Sequence, residues 1–309
     1  MNWHQLLPRG LTGRGARMSD IPAVTTLIRA SEVVDHGFAE QVQDEVGSYW
    51  RRPGFDPDAD AVLVLEGDAL VGYAEIYGWR ADGTVHPEAR SRGIGTALIA
   101  WTEERRLAQR STEEGARLGQ TIIDTNLGAR DLLMGRGYAP RHTSWVLTLP
   151  ADAALSEQPL FSGIRIRTAR LDAEERNVYR IIEDAFNEWP TRVPASFELW
   201  KSTATGRSDF DPSLCFVADN GREVVGAVWA IMYPTEGWVE QLAVRADHRN
   251  LGIGRALLQT TFGELRRRDA PSLGLNTDSR TGALDLYLNI GMTLRDTYTH
   301  YSRLLRPPA

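Results

Sequence analysis

A chain of 309 residues is long enough for about two domains of ~150 residues each. Hydrophobic residues make up 42% and charged residues 25%, the balance of a folded globular protein rather than a disordered one. The net charge of −6 supplies no bulk basic field for nucleic acid or an anionic membrane, and the single cysteine, Cys215, excludes an internal disulfide framework and a cysteine-rich zinc site. No run approaches ~18 apolar residues, and Pro8, Arg9, Gly10 and Arg14 interrupt the start where a secretory signal needs an apolar core. The expectation is a cytoplasmic protein with no membrane partner.

In chain order, apolar alternation predicts strands over 61–65 and 70–77, a third ending at Val85, and a helix over 95–109. Another alternation covers 145–149. The segment PADAALSEQPLFSG (150–163) then carries two prolines and no period. It divides the chain into a first domain, 1–150, a linker, 151–163, and a second domain, 164–309. In the second domain a strand is expected over 164–170 and a helix over 176–186 with Val178, Ile181, Ile182 and Ala185 on one side. Strands follow over 214–219, 224–232 and 238–244, then a helix over 254–267 and a strand over 273–276. A short helix over 283–289 stops before Gly291, and a last strand covers 298–305. Each half is therefore a mixed α/β unit on a mostly antiparallel sheet.

The two halves repeat each other. VHPEARSRGIGTAL (85–98) matches VRADHRNLGIGRAL (244–257), with Gly93 and Gly252 standing 159 positions apart. ARDLLMGRGY (129–138) matches ALDLYLNIGM (283–292) at 154 positions. Two ordered matches at nearly one offset mean duplication of a whole domain. In each copy Arg-x-x-Gly-x-Gly lies between a strand and a helix, where small residues let successive backbone N–H groups converge on a phosphate at the positive end of the helix. Leu98 and Leu257 replace the third glycine of the dinucleotide fingerprint, and no Gly-Lys-Ser/Thr follows either loop, so neither common nucleotide motif is present.

The loops RSRGIG (90–95) and RNLGIG (249–254) resemble the acyl-CoA loop of the GNAT acetyltransferases, and ALDLYLNIGM resembles that family's later motif. The resemblance spans both halves and implies an α/β (α+β) fold of two tandem GNAT-like domains, each a mixed, mostly antiparallel sheet flanked by helices. It also implies acetyl-CoA as co-substrate, no metal, and a small-molecule amine as acceptor. The strand before each loop would splay from its neighbour and pair with the pantetheine arm. In the second copy Leu242, Ala243 and Val244 would make those contacts, with Arg249, Asn250, Leu251, Gly252, Ile253, Gly254 and Arg255 around the pyrophosphate. In the first copy the matching positions are Thr84, Val85, Arg90, Ser91, Arg92, Gly93, Ile94, Gly95 and Thr96.

Acyl transfer to an amine needs a base for the ammonium proton and an acid for the departing thiolate. The resemblance puts an acidic base at Glu240, four residues before Val244, and the acid at Tyr287. Glu236 is the rival for the base, and core packing the rival role for Tyr287. The first copy has Ala81 opposite Glu240 and Leu133 opposite Tyr287. Asp82 is adjacent, but a one-residue slip on a strand turns a side chain to the other face. The first domain is therefore expected to be structural or to bind acyl-CoA without turnover, and the second to catalyse. Trp189, Trp229 and Tyr233, with Trp200, are candidate walls of the acceptor site, and the stretch around Glu40 loosely resembles the acceptor-binding stretch of a tandem member of the family. Cys215 reads as a buried strand residue, His86 and His248 as residues of polar turns, and Arg266–Arg268 as cations at a helix end. A non-catalytic acyl-CoA-binding regulator or scaffold is the competing class, and the donor acyl length stays open.

Overall fold

The structure, a computed structural model, describes residues 3–109, 116–154, 163–189 and 192–306. The first half runs β1 (Leu11–Gly15), α1 (Ile21–His36), α2 (Gln43–Trp50), α3 (Pro57–Asp60), β2 (Ala61–Glu66), β3 (Ala69–Tyr77), β4 (Arg80–Val85), α4 (Ile94–Gln109), β5 (Ala116–Ile123), α5 (Leu127–Gly135) and β6 (Ala139–Pro150). The second runs β7 (Arg165–Thr168), α6 (Leu171–Phe186), α7 (Phe197–Thr203), β8 (Cys215–Asp219), β9 (Val224–Met232), β10 (Gly237–Val244), α8 (Ile253–Arg267), β11 (Ser272–Asp278), α9 (Leu284–Leu288) and β12 (Thr293–Leu305). The expected linker lies mostly outside the described residues, which omit 155–162.

The chain packs as two compact units, and they are not the two contiguous halves expected from the sequence. Residues 1–143 are joined by 296–309, and 144–295 form the other unit. Most of β12 therefore belongs to the first unit, where Tyr298–Leu305 pairs antiparallel with Ala116–Ile123 of β5. Ser144–Pro150 of β6 belongs to the second, paired antiparallel with β11. Alternation identified both strands, but a strand's pattern carries no address for its partner.

Within the first unit β1, β2, β3 and β4 pair antiparallel in sequence order, and β4 pairs parallel with β5. Within the second unit β7, β8, β9 and β10 do the same, and β10 pairs parallel with β11. Each sheet is buried on both faces. In the first unit one core gathers Val62, Ala74, Ile76 and Ala81 with Ile94, Leu98 and Trp101 of α4. The opposite core gathers Ala61, Leu63 and Tyr73 with Val24 and Leu27 of α1 and Trp50 of α2. In the second unit α8 supplies Ile253, Leu257, Phe262 and Leu265 to one face, and α6 and α7 supply Val178, Ile182 and Trp200 to the other. Cys215 lies in that second core, where burial pushes its thiol up to about 12 and keeps it inert.

Two glycines let the helix after each loop sit close on its sheet. A Cβ on Gly72, which pairs with Val85, would lie 2.7 Å from Ile94 Cγ2; one on Gly226, which pairs with Val244, would lie 3.0 Å from Leu257 Cδ1.

Candidate active site

Each unit contains a parallel strand pair that opens as it approaches the glycine loop. β4 pairs with β5 only at Arg80–Gly119 and Ala81–Gln120, although β4 continues to Val85 and β5 to Ile123. β10 pairs with β11 only from Gly237–Leu273 to Val239–Leu275, then continues alone to Val244. The expected splay is present twice.

Antiparallel alternation decides which amides face each gap. Arg245 N donates to Val225 O at 3.0 Å, and His86 N donates to Val71 O at 2.9 Å, so these residues point toward the neighbouring strand on the closed side. Counting back by twos, the N–H groups of Val244 and Leu242, and of Val85 and Gly83, point into the gaps. They are unspent donors of the kind that can pair with an extended amide ligand and polarise a thioester carbonyl.

The loops share one backbone pattern. Ser91 and Gly93 have φ of 62° and 88°; Asn250 and Gly252 have 63° and 75°. Left-handed residues at alternate positions fold the amides into a concavity at the start of α4 and α8. The motif arginines are already engaged. Arg90 forms a two-pronged pair with Asp35 of α1, both bonds 2.7 Å, and donates to Ser31 Oγ at 2.6 Å. Arg249 pairs with Glu188 through two bonds of 2.8 Å and donates from Nε to Val244 O at 3.1 Å. Arg92 pairs with Glu66 at the surface. The sequence reading gave the loop arginine to phosphate; here it ties the loop to the preceding helical segment. Arg255, in the first turn of α8, makes no ion pair or hydrogen bond among the described residues and is the cation left for an anion at that loop.

In the first unit the gap opens into a cavity of about 1440 Å³. Its walls include Gly83, Thr84 and Val85 of β4, Arg90, Ser91 and Gly93–Thr96 of the loop, Asp35 of α1, Glu40, and Tyr298 of β12. Deep in it lies a polar group that sequence reasoning missed. Glu75 of β3 accepts hydrogen bonds from Tyr73 Oη (2.5 Å), Trp50 Nε1 (3.0 Å) and Arg52 (3.1 Å). Asp82 pairs with Glu75 across the strands and lines the same cavity. Asp82 is exposed to this cavity; partial desolvation by the cavity walls, with the neighbouring Glu75 charge, pushes its carboxyl above the usual range against the pull of Arg80 and Arg52. The expectation that Asp82 faces the wrong side is corrected by register. β10 bulges between Val239 and Gln241 and β4 does not, so counting from the loop Asp82 stands level with Gln241 while Glu240 is the inserted residue.

In the second unit, Glu240 sits on that bulge. Its Oε1 accepts from Tyr233 Oη at 3.0 Å and lies 3.9 Å from Arg207. Desolvation pushes the carboxyl above its ordinary value although the tyrosine hydrogen bond and Arg207 pull it down. Tyr287 is buried, and burial pushes its phenol up to about 12. Beside it on α9, Leu286 packs toward Gly254, Leu242 and Val244. Trp229 and Trp200 are core residues, both indoles donating to Gln241 Oε1 at 2.9 and 3.1 Å. Trp189 packs edge-on to Phe186 and under Arg280, 4.5 Å from its ring. Thus Tyr233 joins Glu240, Trp229 does not, and Glu40 lies in the first unit. His86 and His248 serve turns: the first accepts from Glu88 N, the second contacts Asp247. No cluster of three metal-ligating side chains occurs among the described residues, and no helix there is long and apolar enough to cross a membrane.

Two splayed sheets, each followed by a glycine loop that opens a helix, define a tandem α/β fold with a free strand edge in each unit. The acetyltransferase (GNAT) family model matches residues 26–138 and 176–292. A GCN5-related N-acetyltransferase from Sphaerobacter thermophilus is 30% identical, with a TM-score of 0.82 and 98% of both chains covered. A tandem GNAT protein from the clavulanic acid biosynthesis pathway superposes with a TM-score of 0.69 at 16% identity, over 97% of this chain and all of that one. Mycothiol acetyltransferases are similar too: the Thermobispora bispora protein is 27% identical over 253 residues (78% of this chain, 83% of that protein). The Geodermatophilus obscurus protein is 27% identical over 292 residues (88% and 91%). The chain belongs to the GNAT acetyltransferase family and is an acyltransferase of tandem architecture; the family's co-substrate is acetyl-CoA.

Proposed function

We propose that the chain transfers an acetyl group from acetyl-CoA directly to a primary amine of a small molecule, with Glu240 and Tyr287 of the second unit as base and acid. The observation that carries this reading is Glu240 itself: a largely desolvated carboxylate on the strand whose free amides would hold the thioester, kept in place by Tyr233. An alkyl ammonium with pKa near ~10 must lose its proton before its nitrogen can attack. Glu240, raised toward neutrality, takes that proton directly or through one water. The amides of Leu242 and Val244 stabilise the carbonyl oxygen as charge builds there. The thiolate then leaves and takes the Tyr287 proton; a phenol raised to about 12 keeps that proton available throughout neutral pH. Loop amides and Arg255 hold the diphosphate. Tyr233 and Trp189 lie on the acceptor side.

A narrower reading, the mycothiol acetyltransferase reaction itself, is supported by the relatives' names and their cover of most of the chain. The test is release of free thiol from acetyl-CoA across a panel of primary amines. Glu240→Gln and Tyr287→Phe should each lower turnover by ~10² to 10⁴-fold. Normal turnover in both variants, or acetyl-CoA binding with no turnover for any amine, would overturn the assignment; the second result would favour an acyl-CoA-binding regulator.

A further inference from the structure

At one sheet register the two units do opposite things. In the second unit Gln241 closes the position: its single carbonyl oxygen accepts both indole N–H groups, of Trp200 and Trp229, and the surroundings are packed core. In the first unit the same register carries Asp82 opposite Glu75, and the position opens into the 1440 Å³ cavity. Glu75 already accepts from Trp50, Tyr73 and Arg52. Asp82 makes no hydrogen bond or ion pair among the described residues. Asp82 is exposed to this cavity, so its charge faces whatever occupies that space. The group that satisfies it best is a cation, since Arg52 is already committed to Glu75 and Arg80 acts on Asp82 only through charge at longer range.

The cavity also contains what an acyl donor needs. Gly83 and Val85 direct N–H groups into the gap left by β5, three residues or fewer from Asp82, and the Ser91–Gly93 loop opens α4 at the same wall. We propose that the first unit is a second acyl-transfer centre, in which Asp82 receives the ammonium group of a small-molecule amine and takes one of its protons, so that the freed nitrogen can attack an acyl-CoA thioester held against Gly83 and Val85. The new bond is C–N and the broken bond is C–S. One ammonium proton passes to Asp82 before attack, the second leaves the nitrogen to solvent as the tetrahedral intermediate collapses, and the thiolate leaves with the C–S electron pair and is protonated by solvent. Leu133, buried where the second unit has Tyr287, offers no phenol, so this centre relies on the ease with which a thiol of pKa ~8.5 departs. Turnover here is accordingly slower than in the second unit. The raised carboxyl of Asp82 fits this task, because it brings the base nearer the pH at which it works.

The proposal stands apart from Glu240 and Tyr287, and the full chain tests it in their absence. The Glu240→Gln/Tyr287→Phe double variant should retain measurable thiol release from acetyl-CoA with one or more primary amines, from alkylamines to aminosugars. Adding Asp82→Asn, close to isosteric, should lower that remainder by ~10²-fold. If this triple variant fails to melt cooperatively, Asp82→Ser in the same background replaces it. A double variant with no turnover above the uncatalysed rate, or a remainder that Asp82→Asn leaves intact, overturns the proposal. Should the double variant keep full activity and Asp82→Asn abolish it, the first unit is the catalyst and the assignment to Glu240 falls instead.

Discussion

The surroundings of Glu240 act on its proton. Burial raises its carboxyl, while Tyr233 and Arg207 limit the rise without neutralising it. A base must be unprotonated to act, so kcat/KM should fall as pH drops through the raised value. The acid limb therefore lies above the ~4.3 of an ordinary glutamate, and it should vanish from the residual pH profile of Glu240→Gln. The stability sign is opposite. A carboxyl whose folded pKa is raised stabilises the fold only where it is protonated, at low pH, and that contribution is lost as pH rises. Glu240→Gln should thus melt no lower than the parent at neutral pH; a clear drop in melting temperature would mark Glu240 as structural. Glu174 is the contrast: Arg167 first, then Arg170, hold its carboxyl down at about 2, so its ion pairs, which tie α6 to β7 and to the residue before the helix, help the fold throughout the physiological range and weaken only as pH falls toward that value.

At the scale of elements, the site depends on strands that stop pairing and on helices that start close to them. Gly72 lies under the first turn of α4, where Ile94 is almost fully buried and has no room to yield. Gly72→Val should cost about 1–3 kcal/mol by overpacking and should weaken acetyl-CoA binding by displacing the loop amides; an unchanged melting temperature would contradict the packing account. The glycine loops and the helices after them are legible in the sequence because their residue types are dictated locally, by left-handed turns and a 3.6-residue period. The bulge at Glu240 is not. A bulge adds one residue without altering the apolar pattern enough to reveal itself, and this is why linear alignment turns Asp82 to the wrong face. The commitment of Arg90 to Asp35 and of Arg249 to Glu188 is equally hidden, since the partners lie 55 and 61 residues away in sequence.

For the whole molecule, the repeat announces two copies, and two copies exist, but each unit is completed by a strand from the other half of the chain. Trp145–Leu149 and Tyr298–Leu305 alternate as strands should, and nothing in alternation tells β12 to join β5 or β6 to join β11. The polar group of the first cavity stays hidden for a related reason: Trp50, Arg52, Tyr73, Glu75 and Asp82 come from the end of α2, the turn after it, β3 and β4, and only the folded sheet assembles them. Every functional statement still depends on the loops gripping the diphosphate of an acyl-CoA. Titration calorimetry of acetyl-CoA into the intact chain tests that directly. The account predicts saturable binding with a dissociation constant in the range of about 1 μM to 1 mM typical of enzyme substrates; the absence of any binding heat at millimolar acetyl-CoA would contradict it.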